Sequence, residues 1–185
     1  MSGPPQPRRN RRALLGVIAV AVVPLLVAYV LFHASRSAEP WGMTNNGVLL
    51  DPPLELTKLG LIGIGADSGI ARRSWHLIVV SDADCVNDCA AALRQLRQLH
   101  VLLNKEATRV RRTLVFLGAV PTERVSELRA QYPGLGYARG HPGPLHAGVF
   151  IADPLGNVVL YYAFDQAGRP VLDDLKRLLK VSQIG

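Results

Sequence analysis

The stretch Trp75 to Leu103, WHLIVVSDADCVNDCAAALRQLRQLHVLL, changes its hydrophobic period in the middle. Ser74 to Ser81 is an apolar, β-rich run with no alternation, the pattern of a strand buried on both faces. From Ala90 onward Leu93, Leu96, Leu99 and Leu103 recur at spacings of three and four. That spacing predicts a helix with one apolar face and with Arg94, Arg97 and Gln98 on its wet side. Between strand and helix lie Cys85 and Cys89, the only two cysteines in 185 residues. The pair therefore sits at a strand-to-helix junction, with Asp84 the expected cap of the helix.

Downstream the same two periods repeat. Arg112 to Val120 reads as a second buried strand, and Thr122 to about Gln131 as a helix that stops at Tyr132-Pro133-Gly134. Ala147 to Ala152 and Val158 to Phe164 read as two strands joined by the turn Asp153-Pro154-Leu155-Gly156-Asn157, a hairpin. Leu172, Leu175, Leu178 and Leu179 give a last amphipathic helix ending near Lys180. The order is β-α-β-α-β-β-α: two crossovers, right-handed where they join parallel strands, then a hairpin and a covering helix. This α/β order is that of a thioredoxin-like sandwich, here over residues 54–185.

Upstream, Ala13 to Phe32 is a run of 20 residues without a charge. At ~1.5 Å per residue it spans a ~30 Å hydrocarbon core, so residues 13–32 are expected to form one transmembrane helix. Arg8, Arg9, Arg11 and Arg12 precede the run and only Arg36 follows it closely. The positive-inside rule then places the basic, Pro-rich tail, residues 1–12, disordered in the cytoplasm and the rest of the chain outside. The run exceeds the usual h-region of a cleaved signal peptide. In a bacterium this makes a single-pass inner-membrane protein with a periplasmic domain. Residues 33–53 read as a linker, with turns at Asn45-Asn46-Gly47 and Asp51-Pro52-Pro53 and a short hairpin or edge strand at its end.

Charge excludes one function class. The formal net charge is +7, but residues 1–40 hold five of the 21 Lys and Arg and one of the 14 acids. The remainder carries 16 basic and 13 acidic residues, a net of +3, which is no nucleic-acid footprint. Gly63-Ile64-Gly65-Ala66-Asp67-Ser68-Gly69 lacks the Lys-Ser/Thr that a phosphate loop needs, and reads as a strand and turn.

The chemistry is at the cysteines. Residues four apart share a face of a helix's first turn. There the orphan N–H groups and the positive end of the helix dipole stabilise thiolate, the nucleophile and the metal ligand. Three uses stay open: a structural disulfide, which would close a very short loop; thiol–disulfide exchange; and Cu(I) binding by two thiolates with a third soft or imidazole ligand. His76, His100, His141 and His146 are the candidates for that ligand. His146 is the best placed, immediately ahead of the third strand.

These residues resemble the Sco/SenC family of membrane-anchored, thioredoxin-like copper chaperones of cytochrome c oxidase assembly. The resemblance covers roughly Leu54 to Leu179 and rests on the N-terminal anchor, the Cys-x-x-x-Cys pair after the first core strand, and a distal His before a strand ending in Asp-Pro-x-Gly. It implies that Cys85, Cys89 and His146 are metal ligands for copper, held as Cu(I). The implied partners are the copper-bearing subunit of cytochrome c oxidase or its assembly factors. Where the family carries Pro after each cysteine, this chain has Val86 and Ala90. A periplasmic thiol–disulfide oxidoreductase using Cys85 and Cys89 catalytically, or a binding module with vestigial cysteines, are the alternatives.

Overall fold

A computed structural model describes residues 8–37, 44–65, 73–82 and 84–182 of the chain, which divides into two units, Met1–Thr44 and Asn45–Gly185. In the first unit, α1 (Arg8–Ser37) is one helix of 30 residues with Pro24 inside it. Its segment Ala13–Ala34 is long and apolar enough to cross a membrane, and all 22 of its residues are exposed. The helix takes in Arg8 to Arg12 of the basic tail; residues 1–7 lie outside the described residues.

In the second unit the described strands are β1 (Val48–Glu55), β2 (Ile62–Gly63), β3 (Trp75–Ser81), β4 (Val110–Phe116), β5 (Leu135–Arg139), β6 (Gly148–Ala152) and β7 (Asn157–Tyr162). The helices are α2 (Asp88–Leu102), α3 (Thr122–Gln131) and α4 (Arg169–Val181). The strands form one mixed sheet in the order β1-β7-β6-β3-β4-β5-β2. β3, β4 and β5 run parallel through the crossovers α2 and α3; β6 lies antiparallel to β3, and β7 to β6.

β3 is central, and all seven of its side chains are buried. Leu77 and Val79 face one core with Leu93, Leu96 and Leu99 of α2, Leu128 of α3 and Leu175 of α4. Ile78 and Val80 face a second core with Val115, Phe150, Leu56 and Leu145. The three helices thus cover one face of the sheet, while the turn at Leu56 and the loop at Leu145 cover the other. Alternate residues of one strand serve both, which is why its sequence shows no alternation.

The thioredoxin-like α/β order expected from sequence is present, with three corrections. The second crossover leads to β5, which sequence reading left in a loop. The strand Gly148–Ala152 instead runs antiparallel to β3. β5 is five residues long, contains Gly136 and follows Gly134 at φ +75°, so its strand signal is short and broken. Asp51-Pro52-Pro53 is no turn but the middle of edge strand β1. There the missing proline N–H groups coincide with a register shift between Leu49 and Leu54. Helix α2 starts at Asp88 with Asn87 as its cap residue, not Asp84. The turn expected over residues 63–69 lies outside the described residues from 66 onward.

The hairpin turn is as expected. One oxygen of Asp153 accepts the N–H groups of Leu155 (2.9 Å) and Asn157 (2.8 Å), and Gly156 supplies φ +94°. The chain's arrival in the domain is fixed by a buried carboxylate. Asp174 of α4 accepts the N–H of Asn46 (2.6 Å), the N–H of Gly47 (3.0 Å), the side-chain amide of Asn46 (3.0 Å) and the hydroxyl of Tyr162 (2.8 Å). Four donors replace the water this carboxylate gives up on burial.

Two predictions follow from this packing. Asp174→Ala strands one buried and one part-buried backbone donor and a buried phenol, and costs about 3 kcal/mol in chemical denaturation of the full chain; a loss under about 1 kcal/mol contradicts the four-donor account. Burial pushes the Tyr137 hydroxyl up from 10.0 to about 12, against the pull of Arg129, and burial and then the Asp174 hydrogen bond raise Tyr162 further. The folded chain therefore holds protons that the unfolded chain releases near 10. That stability is whole below pH 10 and drains away as pH rises through about 12. Ultraviolet titration shows it: all five tyrosines ionising together near pH 10 in folded protein contradicts the burial.

Candidate functional site

Cys85 and Cys89 are joined by a disulfide, with Cα atoms 5.0 Å apart. β3 delivers the chain to this point: it ends at Ser81, whose carbonyl accepts the N–H of Leu117 at 2.8 Å as the ladder to β4 runs out. The loop then doubles back into α2. Cys85 lies ahead of the helix, and Cys89 lies in its first turn. Both side chains belong to the helix-covered core, 1% and 4% exposed, while Val86, Asn87 and Asp88 between them face solvent. The pair is thus a buried bond beneath an exposed tip.

Two residues in the loop have a positive φ, Cys85 (φ +53°) and Asn87 (φ +48°, ψ −112°). For residues with a Cβ such backbones cost about 1–3 kcal/mol each, so something must hold the loop. Arg124, on α3, does so. Its guanidinium donates to the carbonyl of Asp84 (3.0 Å) and to that of Cys85 (3.1 Å), and its third nitrogen pairs with Glu127 at 3.0 Å. One planar fork thereby ties the cysteine loop to the next crossover helix. Sequence reading placed no role on Arg124: it is one of several arginines on a surface helix, and its contacts lie 39 and 40 residues away.

The start of α2 has no side-chain cap, because the Asn87 side chain makes no capping hydrogen bond. First-turn N–H groups are left for solvent or an anion. Beside them runs a cleft of about 420 Å³, lined by Asp88, Ala91 and Gln95 of α2 and by Ala147, Tyr161 and Phe164 across from them.

The structure brings together two of the three sequence-derived site residues. His146 is exposed, and its ring packs on Tyr161 (centroids 4.3 Å apart) and Phe150 (5.6 Å). Phe150 belongs to the second core and Tyr161 packs against it, while Tyr161 also lines the cleft beside the start of α2. The Tyr161 hydroxyl donates to the carbonyl of Ala147 at 3.2 Å and steadies the loop there. His76 is buried in β3, His100 is half-buried on α2, and His141 is exposed. Among the described residues, no three His, Cys, Asp or Glu side chains are grouped to hold a metal ion. The two sulfurs have the softness Cu(I) prefers, but they are bonded to each other, and the imidazole is not beside them.

The chain is similar to several solved structures. The apo Sco1 protein of Thermus thermophilus matches with a TM-score of 0.55 at 20% identity, over 74% of this chain and 99% of that one. The copper-bound ScoI of Bradyrhizobium japonicum matches at 0.45 and 16% identity, over 57% and 85%. The thioredoxin domain of a thiol-disulfide oxidoreductase from Bacteroides vulgatus matches at 0.49 and 9%, over 65% and 94%. At such identities the likeness is one of fold. No curated protein matches the sequence. A family model does, over residues 75–182, from the first residue of β3 to the end of α4, and the chain belongs to that family, the transmembrane-like, thioredoxin-like C-terminal domain.

Proposed function

We propose that this is a Sco-type thiol redox protein, held by residues 13–32 in a bacterial inner membrane with its tail cytoplasmic and its domain periplasmic. Its Cys85–Cys89 pair cycles between disulfide and dithiol. The observation that carries the reading is the closed pair at an uncapped helix start, with its loop gripped by Arg124. In the reduced form the N–H groups at the start of α2 favour thiolate. One thiolate attacks a partner's disulfide; a mixed disulfide forms and a partner thiolate leaves. The second cysteine then attacks the mixed disulfide, closes Cys85–Cys89 and releases the partner's other thiol. Two electrons pass to the partner, and a membrane or periplasmic thiol reductant restores the pair. The partners proposed are the copper-bearing subunit of cytochrome c oxidase or its assembly factors.

A second reading, Cu(I) carried as cargo, is favoured by one observation: reduction would leave two thiolates side by side on one loop. A third ligand from His146 requires its ring to leave the stack on Tyr161 and Phe150.

In full-length chain in its membrane, Cys85→Ser or Cys89→Ser accumulates a mixed disulfide visible on non-reducing electrophoresis. If neither variant traps a partner, and the double variant supports oxidase assembly as well as wild type, the redox reading fails. Copper stoichiometry on the reduced chain separates the second reading. There His146→Ala weakens copper uptake and leaves exchange unchanged. Arg124→Ala frees the loop, and the disulfide is then reduced by a small dithiol about tenfold faster, with Arg124→Lys between the two. An unchanged rate removes Arg124 from the account. A phosphatase fused after Gly185 is active only with the domain outside, and an inactive fusion reverses the topology.

A further inference from the structure

β3 and β4 run parallel from the pair Trp75–Val110 to the pair Ser81–Phe116, and the cysteine loop follows the second end. At the first end is a cleft of about 430 Å³ between the last turns of α2, the turn after it and the start of β4. His100, Thr108, Arg111, Arg112 and Gly134 line it. Nothing in the redox reading uses these residues.

The cleft is rich in donors and poor in acceptors. Arg112 points to the helix side of the sheet, where it is half-buried, and its Nε is buried without a hydrogen-bond partner. The same holds for Nδ1 of His100 and for the hydroxyl of Tyr137, which feels the Arg112 charge. Among the described residues no carboxylate pairs with Arg112. Its burial, and then the neighbouring Arg97, disfavour its charge, and only the Tyr137 oxygen acts the other way. A guanidinium does not give up its proton, so the positive charge stays. Arg112 also depresses His100, after burial does. Buried polar atoms are satisfied in native proteins, and an exception calls for an ion or a water. Two such atoms in the lining of one cleft, Nε of Arg112 and Nδ1 of His100, call for an anion with several acceptor oxygens.

We propose that this cleft binds a small oxyanion of the phosphate class, with Arg112 at its floor, His100 completing its hydrogen bonds and Arg111 at its mouth. The phosphate could be free or the headgroup of an anionic lipid, since both present the same oxygens. Thr108 and Arg111 are exposed at the rim, so a ligand reaches the floor without opening the core. The site is independent of the cysteines, 11 or more residues from any lining residue in sequence and at the other end of β3.

The test uses full-length chain in neutral detergent at low ionic strength. Inorganic phosphate is expected to raise the melting temperature in proportion to its occupancy and to shift the His100 imidazole resonances. Arg112→Gln lowers phosphate affinity about tenfold or more, and Arg111→Gln, at the exposed rim, lowers it less. Arg111→Gln also serves as the folded control if Arg112→Gln proves unstable. Nanodiscs of phosphatidylglycerol against phosphatidylcholine form the second arm. A response confined to phosphatidylglycerol, and lost in Arg112→Gln, makes the headgroup the source. No response to phosphate or phosphatidylglycerol, or a response that both arginine variants keep in full, overturns the proposal. The rate of Cys85–Cys89 reduction stays at the wild-type value in both variants, so this result and the redox result fail or stand separately.

Discussion

Burial of β3 on both faces is the constraint on which the rest of this domain depends. Seven consecutive side chains lie inside, alternately in the helix-covered core and in the core behind it. Each large apolar side chain so buried contributes about 1.5–3 kcal/mol, and none can be turned to solvent without opening one core or the other. Chemistry on such a strand is confined to its ends. At one end the chain leaves the sheet and forms the cysteine loop. At the other, the pairing with Val110 brings Arg112 of β4 under the end of α2.

The cysteine loop inherits its position from the strand and its shape from elsewhere. Its own residues do not favour a left-handed Cys85, and the uncapped start of α2 offers the loop no side-chain anchor. The two carbonyls that Arg124 receives are therefore the fixed points of the turn. Because Arg124 sits on the second crossover helix, the geometry of the pair depends on how α3 packs, through Val125 and Leu128, against the same core that buries the sulfurs. A disulfide closing so short a loop restrains the unfolded chain weakly, by about 2 kcal/mol in the chain-entropy account. The bond is thus a weak staple.

What could be read from the sequence was whatever depends on neighbours in the chain. The unbroken run of β3, the three-and-four spacing of α2 and the Asp153 turn are local patterns, and each is present where its pattern falls. What could not be read depends on distant partners. β5 is a strand because it lies beside β4, not because of its five residues. Asp174 looks like a solvated helix residue until Asn46 and Gly47, 128 and 127 positions earlier, arrive to donate to it. The same applies to His146, which stands immediately ahead of its strand as expected. Which sheet face its ring joins is decided by Tyr161, on the neighbouring strand β7.

The placement of His146 bears on how a single fold can serve exchange or metal carriage. Exchange needs two sulfurs that meet each other and a partner. Metal carriage needs a further ligand that meets both sulfurs at once. Here the ring is engaged by two aromatic neighbours, contacts worth about 0.5–1.5 kcal/mol each for aromatic pairs. That is small against the bond energies of a soft metal to thiolate and imidazole, yet enough to keep an idle ring in place. In the oxidised state the sulfurs hold each other and the ring stays on Tyr161.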